Sequence, residues 1–204
     1  MVGRFFGRGS KPQAPSLKSA SQPHDLTLAD VGDELAIRGL TEGYDPAFQH
    51  VERRDNFVIE QLNRYESDSD EWYELIGASG DRRLWLEWAD EGELFITATT
   101  DRTPMGLGSV GLTESELIRM DAEHSIDNSF THDSRRYFYK NSQEVEFFQD
   151  DEEDGDGFYL WDFVSEDRSR MLSVVKFEGK PFEVFKSEIV PPGNITVYKR
   201  DDPE

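Results

Sequence analysis

Trp72, Glu74, Trp85 and Glu87 stand at alternate positions on either side of the turn-prone tetrapeptide Ala78-Ser79-Gly80-Asp81. If that turn joins two antiparallel strands so that Gly77 faces Arg82, Glu74 lies opposite Trp85 and Trp72 opposite Glu87. All four side chains then share one face of the hairpin. Indole rings beside carboxylates can grip a cationic or sugar-like ligand through stacking and charge-assisted hydrogen bonds. A carboxylate pair can also do general acid/base work if burial raises one pKa, so Glu74 and Glu87 are the catalytic candidates of a hydrolase or lyase. The commoner arrangement is a solvated sheet exterior, with tryptophans covering the surface and glutamates reaching water. A concave pocket with converging carboxylates would favour an enzyme, and a flat exposed face a noncatalytic binding or scaffolding module.

Other motifs supply no rival chemistry. Gly106-Leu107-Gly108-Ser109-Val110-Gly111 spells G-x-G-x-x-G, but no strand leads directly into it and no βαβ unit surrounds it, so it reads as a linker. Asp150 to Asp156 holds six acids in seven positions. Position twelve of a calcium loop starting at Asp150 would be Trp161 rather than a bidentate Glu, so a solvated hairpin tip is expected. His24, His50, His124 and His132 have no metal-ligand spacing, there is no G-x-S-x-G elbow or phosphate-binding loop, and cysteine is absent. No cofactor or metal is expected. The motif search leaves the noncatalytic module as the leading reading and the Glu74/Glu87 enzyme as the alternative.

The elements that must position these residues read as β-structure. Strands are expected at Glu34 to Arg38, Asn56 to Tyr65, Glu71 to Gly77, Arg82 to Trp88 and Glu93 to Thr99. More follow at Arg135 to Lys140, Glu144 to Phe148, Phe158 to Val164, Met171 to Phe177, Phe182 to Phe185 and Ile195 to Lys199. Short connections imply antiparallel meanders, and the regular spacing an all-β barrel or sandwich of two similar halves, near 26–100 and 129–200. Between them lies a linker, 101–128, with one short helix near 114–121. Thr113 and Glu116 can form its capping box, and Leu112 and Leu117 its hydrophobic staple. Tyr73, Leu75, Leu84 and Leu86 form the core face of the central hairpin. Carrying the register through the next turn adds Trp88 and Phe95 to that face, and Leu94 and Ile96 to the Trp/Glu face.

Composition narrows the class further. The 204 residues carry a net charge of −21 and a mean hydropathy of −0.70, and no apolar run approaches the length of a membrane-spanning helix. Such acidity repels phosphate backbones and favours basic partners, so nucleic acid is not expected, and a protein partner or small cationic ligand is. It equally suits a salt-adapted cytoplasm, and the lack of cysteine fits that compartment. Residues 1–25 form a basic arm expected to be disordered, with Arg4, Phe5, Phe6 and Arg8 its one element suited to weak peripheral membrane contact. Residues 201–204 are an acidic tail.

Leu28 to Asp33, read as Leu-x-x-x-Gly-Asp, followed by Trp72-Tyr73-Glu74-Leu75 and then Trp85-Leu86, resembles the bacterial family catalogued as domain of unknown function 4178. Leu75 stands where that family usually has an aromatic residue. The resemblance covers residues 26 to 100 and, more loosely, 135 to 200. It implies a β-rich soluble domain without an established activity or catalytic residues, sometimes encoded near membrane-stress and polyamine-related genes. It carries over no site residues.

Overall fold

Alternating apolar and polar residues, interrupted every eight to twelve positions by turn formers, produce an almost wholly antiparallel β-structure in this chain. The computed structural model describes residues 23–41, 54–90, 92–150 and 152–200. Arg4, Phe5, Phe6, Arg8 and His50, and the tail 201–204, lie outside the described residues. The strands are β1 (Pro23–His24), β2 (Glu34–Arg38), β3 (Arg54–Glu66), β4 (Glu71–Ser79), β5 (Arg82–Asp90) and β6 (Leu94–Thr99). After helix α1 (Glu114–Glu123) come β7 (Ser129–His132), β8 (Arg135–Gln149), β9 (Asp156–Ser165), β10 (Arg170–Lys176), β11 (Glu183–Ile189) and β12 (Ile195–Tyr198).

The strands hydrogen-bond in the order β1-β12-β2-β3-β4-β5-β6-β11-β10-β9-β8-β7, and an additional pairing of β3 with β8 closes a ring. That ring, β3-β4-β5-β6-β11-β10-β9-β8, is an eight-stranded barrel made of two four-strand meanders. The all-β, antiparallel, barrel-type expectation with one short helix holds.

Closure depends on two strands that change faces midway. The first half of β3 pairs with β2 through Arg54 to Val58, and its last four residues, Asn63 to Glu66, pair with β8. A bulge between Ile59 and Gln61 separates the two duties. An extra residue shifts the alternation by one, so Phe57 and Ile59 join an outer core while Gln61, Asn63 and Tyr65 turn into the bore. β8 repeats the device between Tyr139 and Asn141: Tyr137 and Tyr139 pack outside, Asn141 and Gln143 inside. The two separate strands expected at 135–140 and 144–148 are therefore one long bulged strand.

The apolar faces of the barrel point outward and are covered by the chain's own segments. Leu75, Leu84, Leu86, Trp88, Ile96 and Ala98 pack with Leu35, Ile37 and Val197 of the flanking strands β2 and β12. On the other meander, Trp161, Phe163, Leu172, Val174 and Val184 lie beneath Val110, Leu112, Leu117 and Met120. Thr113 and Glu116 form the expected capping box. The helix runs two residues past the expected end and stops where His124 enters the left-handed region at φ 45°. The Gly-rich segment is a single 3-10 turn over Leu107–Val110, closed by Gly111 at φ 82°, and it buries Val110 against the barrel. The described residues of the acidic run, Asp150 and Glu152 to Gly155, are exposed between β8 and β9, as expected of a hairpin tip.

Candidate functional site

Side chains pointing into the bore of an eight-stranded barrel either fill it or leave room for a small ligand. Here they leave a cavity of about 740 Å³, lined from all eight strands, with Trp72, Glu74, Trp85 and Glu87 all on its wall. The four candidates do share one face, but in a different register from the one expected. The β4–β5 turn has two residues, Gly80 and Asp81, rather than four, and Ser79 pairs with Arg82. Gly80 takes the φ of +61° that a tight hairpin needs at its first central position. Every pair slides by two, so Glu74 faces Glu87 and Trp85 faces Ile76. A slide of two preserves the face of each side chain, while changing its neighbours.

The next connection breaks the expected parity. Asp90 pairs with Leu94, leaving three residues between the strands, with Gly92 at φ +92°. An odd loop length inverts β6: Phe95, Thr97 and Thr99 face the cavity, while Leu94, Ile96 and Ala98 face the outer core. Phe95 therefore belongs with the Trp/Glu face, and Leu94 and Ile96 do not.

Glu74 and Glu87 sit in unlike environments. The Glu74 side chain is 2% exposed and ion-paired to Arg102, and Asn63 Nδ2 donates to its Oε1 at 2.8 Å. Gln61 Nε2 in turn donates to Asn63 Oδ1 at 2.8 Å. Glu87 keeps 32% of its side-chain surface open within the bore, and its ion-pair contact with Arg102 is a long 3.7 Å. Enclosure in the barrel, with a further contribution from the Asp162 charge, pushes the Glu87 carboxyl up to about 7. Burial also raises the Tyr65 phenol, with Glu87 adding to the effect.

Asp162 reaches the cavity from β9, four places round the ring from β5, so it looks toward Glu87 across the bore. Ser173 Oγ donates to its Oδ1 at 2.7 Å. Its neighbour Trp161 points outward, as strand alternation requires. Aromatic rings floor the space: Tyr65 stacks on Trp72 at 5.2 Å and 6°, and packs against Phe147 and Phe158.

Asn63, Tyr65, Phe95, Arg102 and Asp162 escaped the sequence reading. Polar Gln61 and Asn63, following apolar Phe57 and Ile59 at the same spacing, were the signal that β3 changes faces. Nothing local announces that Arg102, in a connecting segment, or Asp162, in the other meander, converges on Glu87. Among the described residues, no group of three or more metal-ligating side chains comes together, and no helix is long and apolar enough to cross a membrane.

A family model described as Domain of unknown function (DUF4178) matches residues 53–192. The match takes in Trp72 to Leu75 and Trp85-Leu86, and begins after the Leu28 to Asp33 segment. No curated protein and no solved structure matches the chain.

Proposed function

The chain belongs to the family of domain of unknown function DUF4178, and on that premise we propose that it is a noncatalytic binding module taking a small organic cation into its barrel. The lining of the bore carries this reading. The carboxylates of Glu74, Glu87 and Asp162 stand on it around Arg102, among the rings of Tyr65, Trp72, Trp85, Phe95, Phe147 and Phe158. An enclosed, negative and aromatic space selects an ammonium or guanidinium group with some apolar body, through ring faces and carboxylates together. Trp72, Trp85, Glu74 and Glu87 are the ligand-contacting residues in this reading, and polyamines fit the chemistry. The module works in the cytoplasm, with which a chain lacking cysteine is compatible.

Titrating wild-type protein with spermidine at pH 6 and pH 8 tests the idea. Glu87 ionises across that interval, so affinity is expected to rise with pH, and Glu87→Gln to lose both the rise and about tenfold in affinity. Equal binding by the variant, or none by wild type, defeats the proposal.

An enzyme using Glu74 and Glu87 is the second reading, favoured by the concave cavity and the raised Glu87 pKa. Against it, Glu74 is buried and both of its oxygens are already engaged, Oε1 by Asn63 and Oε2 by Arg102. Only Glu87 then remains open to a substrate.

A further inference from the structure

The bore already holds one organic cation, and it belongs to the chain itself. Arg102 is not on a barrel strand. It sits in the segment leaving β6, where Asp101 N donates to Thr99 Oγ1 at 3.1 Å and Thr103 N to Asp101 Oδ1 at 2.9 Å. From this tight turn the side chain enters the cavity, with 27% of its surface open. Its guanidinium pairs with Glu74, reaches Glu87 at 3.7 Å, lies 5.5 Å from the Phe185 ring centroid and approaches the Tyr65 hydroxyl at 3.4 Å. Carboxylate on one side and ring face on another is how proteins recognise a free guanidinium.

The two partners of this contact differ in how firmly they are placed. Glu74 is fixed on a central strand and oriented by Asn63, itself oriented by Gln61. Losing its cation would leave a buried anion uncompensated, at a high cost. Arg102 hangs from a connecting segment on a flexible stem, so it can withdraw into water once a ligand cation takes its place beside Glu74. The cavity, at about 740 Å³, is large enough for a ligand that brings its own guanidinium.

We propose that Arg102 is a tethered occupant of the cation seat, and that the ligand is a small guanidinium-bearing molecule that displaces it from Glu74. This inference rests on the cation-binding reading and adds to it the ligand's chemical class and a competition built into the chain. A tethered competitor acts at an effective concentration of about millimolar, so it weakens ligand binding without touching the ligand. Displacement also frees the Arg102 segment, which Met105 joins to β11 through a two-way backbone bridge with Val184.

Agmatine, an alkylguanidine, is a suitable probe for calorimetry and thermal melting of the full chain. Arg102→Ala is expected to melt below wild type without ligand, to bind agmatine at least about tenfold more tightly, and to gain more in Tm at saturation. Adding Glu74→Gln to that variant should abolish binding. Arg102→Gln, which fills more of the same volume, should show the same gain if the alanine variant folds poorly. In wild type, agmatine should shift the Arg102 Nε–H resonance toward that of a solvent-exposed arginine. Equal or weaker agmatine binding by both Arg102 variants, or an unmoved Nε–H signal at saturation, overturns the proposal and makes Arg102 a fixed brace. Spermidine binding that depends on Glu87 would leave the broader reading standing in that event, whereas the absence of binding by either probe to any variant defeats both.

Discussion

Between the usual carboxyl pKa of 4.5 and the value of about 7 that Glu87 has in the barrel, the folded protein holds a proton that the unfolded chain has released. The stability tied to that proton is fully present below pH 4.5 and is lost as pH rises through 7. Glu87→Gln keeps the shape and removes the titration. It should be more stable than wild type by about 1–2 kcal/mol at pH 8, a figure reduced because part of the side chain is open, and nearly equal to it at pH 4. Urea melts of both proteins at the two pH values check this, and a constant difference would show that Glu87 ionises normally. At this scale, much is legible in the sequence. Trp72, Glu74, Trp85 and Glu87 share a face under either the four-residue or the two-residue turn, because the two registers differ by an even number. Their pairing was not legible, since it hangs on one turn length. Nor was the contrast between the two glutamates, which comes from Arg102 and from a strand on the far side of the ring.

Strands and turns divide in the same way. Apolar periodicity located β2, β4, β5, β9 and the helix start closely, because each is a local pattern with a recognisable boundary. It misread β8 as two strands, because a bulge looks like a gap when only alternation is counted. It inverted β6, because a three-residue loop cannot be told from a four-residue one in Asp90-Glu91-Gly92-Glu93. The close approach of β3 and β4 offers a test at this level. A Cβ on Gly77 would lie 2.9 Å from Phe57 Cβ, too near for both strands to keep their places. Gly77→Ala should therefore cost about 1–3 kcal/mol, read from denaturant midpoints. If the alanine is tolerated without cost, the β3–β4 spacing is looser than described.

The molecule as a whole is larger than the family match. Residues 53–192 contain the complete ring but omit β1, β2 and β12, and with them Leu35, Ile37 and Val197 over the outer core. A fragment with those limits would open a continuous apolar surface around Leu75, Leu84 and Leu86, more than a soluble monomer usually shows. It should bind hydrophobic dye and self-associate on size-exclusion chromatography, where the full chain does neither. A monomeric fragment that unfolds as cooperatively as the full chain would show that these strands are accessory. Joining β3 to β8 has a further cost in time. The two sides of that seam are remote in sequence, as the Asp150 N to Asn63 Oδ1 contact across 87 positions shows, and β1 waits for β12 at the other end of the chain. Contacts of such range slow folding into the millisecond-to-second regime. On the ribosome, the first meander must emerge as an open ribbon with its carboxylates wetted, and only the arrival of the last strands can turn that ribbon into a container.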